Sequence, residues 1–362
     1  MYIKKIRLNN FRNYEEQEIE LNKNINIFYG DNAQGKTNII EAIYLSSLGK
    51  SFRTKKDNEL INIENKKKNA LIETEYKKID REGKIKIDIN EKKYVFINDV
   101  KIKKLSEILG NINIVLFSPE DINLFKEGPA KRRRALDIMI SQLRPAYVYN
   151  LNMYLKNLEQ RNNYLKLIKY EKKTKELLDI WDEKLAEYAE KIIFYRKEFI
   201  EKIKEQIIDI HKKITENNEI IKIEYFSDCE NKEKYIEILK NEREQDIIKG
   251  YTRKGIHRDD YLVYLNDKEL KLFGSQGQHR TVLLSFKISE LNIIYNEIGE
   301  YPILLLDDFM SELDNKRIKN LLENIENIQV IITCTEKLNI ENKENENFLV
   351  KKGKIIKEKK IT

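Results

Sequence analysis

Gly30-Asp31-Asn32-Ala33-Gln34-Gly35-Lys36-Thr37 constrains this chain more than any other stretch, because it satisfies G-x-x-x-x-G-K-[ST] in the setting that the pattern needs. A strand-like run, Ile25-Asn26-Ile27-Phe28-Tyr29, leads into it, and a segment of helical period starts at Lys36. Strand, glycine-bearing turn and helix in that order aim successive N–H groups and the helix N-terminus at a phosphate. Lys36 then reaches the β- and γ-phosphates and Thr37 offers its hydroxyl oxygen to Mg2+. A second apolar run, Tyr301-Pro302-Ile303-Leu304-Leu305-Leu306, reads as a strand buried on both faces and ends in Asp307-Asp308. Asp307 at that strand tip is placed to hold Mg2+ opposite Thr37, and Asp308 to orient the attacking water. Together these motifs specify a nucleoside triphosphate site. Its binding residues are Gly30, Asp31, Asn32, Ala33, Gln34, Gly35, Lys36 and Thr37, its metal ligands Thr37 and Asp307, and its catalytic candidates Lys36 and Asp308.

The two motifs stand at opposite ends of a chain of 362 residues, long enough for two lobes. Period-two segments between Leu71 and Val100 predict an antiparallel meander, and Ile112 to Phe117 a further short strand. Ser118-Pro119-Glu120-Asp121 looks like a helix start. Beyond it the period turns helical to about residue 218. Steps of three and four through Leu178, Trp181, Leu185, Tyr188, Ile192, Tyr195, Phe199, Ile203, Ile207, Ile210 and Ile214 predict one long helix, reaching roughly 55 Å at 1.5 Å per residue. Val148, Leu151, Leu155, Leu158 and Leu165 supply a stripe to pair with it, either as a protruding antiparallel arm or as two core helices of a globular bundle. The expected division is a head of residues 1–118 and 252–362, with a helical insertion at 119–251.

Gly274-Ser275-Gln276-Gly277-Gln278, followed by an apolar helical pattern, resembles the signature motif of ABC-type ATPases, with Gln276 where a second glycine is usual. Ser311-Glu312-Leu313-Asp314 is similar to the D-loop of that class through Ser311 and Asp314. The long separation of Lys36 from Asp307 matches the SMC-like branch, whose ATPase is split by a helical insertion. Over nearly its whole length the chain resembles the RecF family within that branch. The segments carrying this are Leu8 to Tyr14, Gly49 to Arg53, Phe117 to Asp121, Arg132 to Asp137, Gly255 to Asp260 and Ser275 to Gln278.

The resemblance implies an α/β fold, an ABC-type P-loop ATPase head with an inserted α-helical arm lobe. It implies ATP and Mg2+ as cofactors, and a homodimer in which Ser275, Gln276, Gly277 and Gln278 of one copy cap the γ-phosphate held by another. It adds Arg12 to the ATP-binding residues. The activity implied is a weak, DNA-stimulated ATPase of recombinational repair, replication restart and the SOS response. Such a protein binds gapped or single-strand/double-strand junction DNA and helps load the recombinase with a partner such as RecR. Glutamate is usual in the class where Asp308 stands, and Thr333-Cys334-Thr335 occupies the strand end of the switch histidine, Thr335 being its substitute. A nucleotide-gated DNA clamp or scaffold with incidental hydrolysis, or another SMC-like ATPase, is the alternative.

Charge bears on the DNA question only by its placement. Lys+Arg 68 against Asp+Glu 61 gives +7, in a chain rich in lysine throughout. Lys50, Arg53, Lys55 and Lys56, just beyond the P-loop helix, form the first candidate surface, to which Lys101, Lys103 and Lys104 add; Arg132, Arg133 and Arg134 form the second. The two cysteines, Cys229 and Cys334, have no metal-ligand spacing, the N-terminus Met1 to Arg7 has charges but no apolar h-region, and no apolar run approaches the length of a bilayer span. A cytoplasmic location without membrane attachment is expected.

Overall fold

A computed structural model describes residues 1–64, 69–308, 327–338 and 344–358. They divide into two compact units, Met1–Ile122 with Leu283–Thr362, and Asn123–Val282.

The first unit is two sheets around one helix. Strands β1 (Tyr2–Phe11), β2 (Tyr14–Glu20), β4 (Ala70–Lys77), β5 (Glu82–Ile89), β6 (Lys93–Ile97) and β7 (Val100–Lys101) form an antiparallel sheet in the order β2-β1-β4-β5-β6-β7. Its period-two pattern puts Ile6, Leu8, Ile72, Ile85 and Ile87 inward. The second sheet, β15-β14-β3-β13-β12-β8, comprises β3 (Ile25–Tyr29), β8 (Ile114–Phe117), β12 (Ile303–Asp307), β13 (Val330–Cys334), β14 (Asn345–Lys351) and β15 (Lys354–Lys357). All its pairings are parallel except β14 with β15. Helix α1 (Lys36–Leu48) lies between the sheets, which is why it is buried on nearly every side, from Ile39 to Ser47. In the parallel sheet only β13 separates β3 from β12. The turn after β3 and the carboxylates ending β12 therefore share the C-terminal edge, where open α/β sheets hold their ligands. Ser118-Pro119-Glu120-Asp121 forms a single 3-10 turn at Pro119–Asn123, not the start of a long helix.

The second unit contains α2 (Pro129–Leu143), α3 (Pro145–Glu171), α4 (Leu178–Ile214), β9 (Ile221–Phe226), α5 (Lys232–Asn241), α6 (Arg243–Lys249), β10 (Asp260–Leu265), β11 (Lys268–Glu269), α7 (Leu270–Phe273) and the first turns of α8 (Gln276–Ile298). The predicted long helix is α4, and it packs antiparallel to α3. It is also packed by α2, α5 and β9, so within this unit the pair is the core of a bundle. Polar groups lock it. Buried Arg161 donates to Asp182 at 2.7 Å, to Asp246 at 2.7 Å and to Thr252 at 2.8 Å. Arg196 donates to Asp259 at 2.8 Å and to Asp137 at 3.0 Å.

Two expectations are corrected by this unit. Residues 252–282 were assigned to the head, but β10 pairs with β9 and Asp259 and Asp260 receive arginines from α4 and α2, which ties this stretch to the helices. The arginine run is the second correction. Arg132 is 2% exposed and grips Asp260 through Nε and Nη2 at 2.7 and 2.8 Å, and half-buried Arg133 donates to the Asp259 carbonyl at 2.7 Å. Three consecutive helical positions diverge by about 100° each, so Arg134 alone of the three is exposed. Arg132→Ala is expected to destabilise the protein by about 3–5 kcal/mol, because it strands Asp260 beside the packed helices. A thermal melt reads this directly, and a wild-type melt with weakened DNA binding would return Arg132 to the DNA surface.

Candidate nucleotide site

The loop after β3 is forced into its curve. Gly30 has φ +145°, and a Cβ there would stand 2.4 Å from the Val350 carbonyl oxygen; Gly35 has φ +114°, and its Cβ would meet the Asn13 amide at 2.5 Å. Two turns brace the loop from outside. Asn13, between β1 and β2, donates to the Gln34 carbonyl at 2.8 Å, and the β14–β15 turn donates Lys352 N–H to Gln34 Oε1 at 2.6 Å. Gln34 thus points its side chain at the scaffold.

Inside the curve, Lys36 Nζ donates to the carbonyls of Gly30 and Asp31 at 2.6 and 2.7 Å. Thr37 Oγ1 donates to Asp307 Oδ1 at 2.9 Å, and Thr333 Oγ1 to the same oxygen at 2.8 Å. Burial raises the Asp307 pKa, against the two threonine bonds and nearby Arg53. A cation arriving there therefore has a carboxylate whose ionised form it strongly favours. Asp308 has φ +47°, and its N–H bonds to Thr333 Oγ1 at 2.9 Å. A cavity of about 380 Å³ opens above these groups, lined by Asn32, Ala33, Gly35, Lys36, Thr37, Asn38, Arg53 and Asp308. Burial pushes the Cys334 thiol up to about 12, so it stays protonated next to this site.

The structure redistributes several expected residues. Arg53 lines the cavity instead of standing free beside the lysines. It donates to Asn38 Oδ1 at 2.7 Å and to Glu41 Oε2 at 3.3 Å. Arg12, expected at the nucleotide, holds Glu41 in a two-pronged pair at 2.9 and 2.7 Å and donates to the Glu59 carbonyl at 2.7 Å; it is not among the lining residues. Glu41, fully buried on α1, also accepts from Ser51 at 2.5 Å, so it fixes the loop that delivers Arg53. A lone acid in the apolar run Ile39-Ile40-Glu41-Ala42-Ile43 was the sequence signal for it. At the end of β13 it is Thr333 that meets both aspartates, while Thr335 lies past the strand and is exposed. Lys50, Lys55 and Lys56 are exposed on the loop after α1, and Asp57 of that loop pairs with Lys93 at 2.7 Å. Ser311 and Asp314 lie outside the described residues.

In the second unit Ser275 and Gln278 form a reciprocal cap at the start of α8. Gln278 Oε1 accepts from Ser275 N–H at 2.8 Å, and Ser275 Oγ accepts from Gln278 N–H at 3.2 Å. Ser275 and Gln276 are exposed. Because the Ser275 oxygen is used as an acceptor, its proton is available to a phosphate. His279, one residue on, is buried, and that burial takes its pKa down to about 4.

Residues 2–357 match the family model described as the RecF/RecN/SMC N terminal domain. A curated relative from Acetivibrio thermocellus, named DNA replication and repair protein RecF, is 47% identical over 361 residues, covering 96% of either chain. A solved structure described as the recombination mediator protein RecF-ATP in the RecFOR pathway superposes with a TM-score of 0.91 at 38% identity, over 99% of this chain and 98% of that one. An SMC head bound to the C-winged helix domain of ScpA shares the fold at a TM-score of 0.58 and 18% identity, over 99% and 98% of the two chains. Among the described residues no helix is long and apolar enough to cross a membrane.

Proposed function

The chain belongs to the RecF family of DNA replication and repair proteins, and on that premise we propose that it is an ATP-driven homodimer that binds gapped or junction DNA and helps load the recombinase. Its partner in that task is a mediator of the RecR type, which the RecFOR context of the similar structure supports. The observation that carries the ATPase reading is the convergence on one cavity of Lys36, Thr37, Arg53 and Asp308, with the Asp307 carboxylate bonded to Thr37. Lys36 and Arg53 supply the two cations that a triphosphate needs. Thr37 Oγ1 and Asp307 are oxygen donors that suit Mg2+, which takes one or two protein ligands beside phosphate and water; the ion supplies charge neutralisation on the phosphates. Asp308, held by Thr333 at its N–H, orients water for a slow hydrolysis.

Turnover stimulated by DNA is the test. Asp308→Asn is expected to lower it by about a hundredfold or more while ATP affinity in an equilibrium titration stays as in wild type. Stimulated turnover surviving in that variant would take the catalytic role from Asp308, whereas ATP-dependent DNA binding with no stimulated turnover in the wild type would favour the clamp, in which ATP acts only as a conformational switch.

For DNA, the exposed Lys50, Lys55 and Lys56 remain as the surface beyond α1, with Arg53 now counted in the nucleotide site. Reversing these three charges is expected to weaken binding equally for every sequence. The slope of log affinity against log salt should fall by about 2–3, one counterion release per lysine. An unchanged slope places the DNA elsewhere.

A further inference from the structure

The signature cap does not end at Gln278. Its Nε2 donates to Glu219 Oε1 at 2.8 Å, and the other oxygen of Glu219 meets His211 Nε2 at 3.2 Å. His211 is fully buried in the last turn of α4, and burial lowers its pKa against the pull of Glu219, so at neutral pH it serves as an uncharged N–H donor. Glu219 is itself pinned through its neighbour: Ile220 N–H donates to Asn266 Oδ1 at 2.9 Å, and Asn266 N–H returns to the Ile220 carbonyl at 2.9 Å.

These bonds settle which way Gln278 faces. Its amide nitrogen is held by a carboxylate, so its carbonyl oxygen must face Ser275 N–H, and that bond is half of the cap. Ser275 is exposed, so its hydroxyl is fixed by this cap and not by packing. We propose that Glu219, seated on His211, is a positioning residue that orients Gln278 and through it the Ser275 hydroxyl, registering the signature against the end of α4. This rests on the reading that Ser275 serves a second copy of the chain. Without Glu219 the amide can rotate and the Ser275 N–H loses its acceptor, so the serine backbone that aims the hydroxyl at a γ-phosphate keeps only the Gln278 N–H half of the cap.

The experiment is a double-mutant cycle in the full chain, with ATP-dependent dimerisation by light scattering, turnover, ATP affinity and a thermal melt as readouts. Glu219→Ala is expected to weaken the ATP-dependent dimer and slow turnover by about tenfold, the value of one charge-assisted bond, with ATP affinity and the melt near wild type. Gln278→Ala should do the same, and the double variant should be no worse than Gln278→Ala alone. Glu219→Gln, which keeps an acceptor, should recover most of the loss. Additive losses, or a Glu219→Ala variant that dimerises and turns over as wild type while Gln278→Ala does not, overturn the relay and leave the signature reading standing. A Gln278→Ala variant with wild-type dimerisation and turnover overturns both.

Discussion

Lys36→Ala is expected to weaken ATP binding by at least about a hundredfold, and ADP binding with it. Lys36 is 6% exposed and its ammonium is held by the carbonyls of Gly30 and Asp31 at 2.6 and 2.7 Å, so it is aimed across the mouth of the loop with little freedom. A phosphate entering the curve replaces those carbonyls as acceptor. Each charge-assisted bond lost is worth about 1.5–3 kcal/mol, and two such bonds amount to two or more powers of ten in affinity. The fold should tolerate the change, because the loop is braced from outside by Asn13 and by the β14–β15 turn, neither of which touches the lysine side chain. Arginine is not a substitute: its planar fork is too wide for the ring of two carbonyls. Calorimetric or fluorescence titration with both nucleotides, beside a melt within about 1 kcal/mol of wild type, checks the expectation. Undiminished affinity would overturn the assignment of the loop.

The nucleotide side of the protein was legible because its logic is local. Strand, turn and helix around Gly30 to Thr37 are consecutive, and a buried strand ending in Asp307 announces itself by an unbroken apolar run. What resisted reading depends on partners distant in the chain. Gln34 looks like a loop residue until Lys352 is brought to it, and Glu41 gains its meaning only when Arg12 and Ser51 close on it. Thr335 and Thr333 share a strand face, but β13 ends at Cys334, so Thr333 is the last on that face still within the ladder and is the one beside Asp307. The arginine run misleads for a related reason. Its composition suits phosphate, yet Asp260, more than a hundred residues on, takes the first of the three. Membership of 252–282 in the helical unit was hidden likewise, since the pairing of β10 with β9 is a tertiary fact that two short alternating stretches do not declare.

Ser275→Arg is expected to separate the two tasks that the proposed mechanism gives to ATP. Ser275 caps α8 through its oxygen and stands exposed, so an arginine has room in a single copy of the chain and should cost no more than the cap, about 1 kcal/mol. ATP affinity in one copy depends on Lys36, Thr37, Asp307 and Arg53, which the substitution leaves unchanged, and should be retained. Between two copies the substitution acts differently. If the serine hydroxyl closes on the γ-phosphate held by a second chain, a side chain several ångströms longer keeps the surfaces apart and removes the donor. ATP-dependent dimerisation should then fall below detection at concentrations where wild type is fully paired, and turnover should fall with it because the composite site never closes. Light scattering with and without ATP reads the first effect, and a nucleotide titration with a melt reads the control. A residue serving only the fold predicts another pattern, in which melt, nucleotide binding and dimerisation decline together. A folded Ser275→Arg protein that still pairs on ATP like wild type removes the signature from the mechanism, and hydrolysis must then be completed by groups of one chain, with Arg53 as the remaining cation beside Lys36.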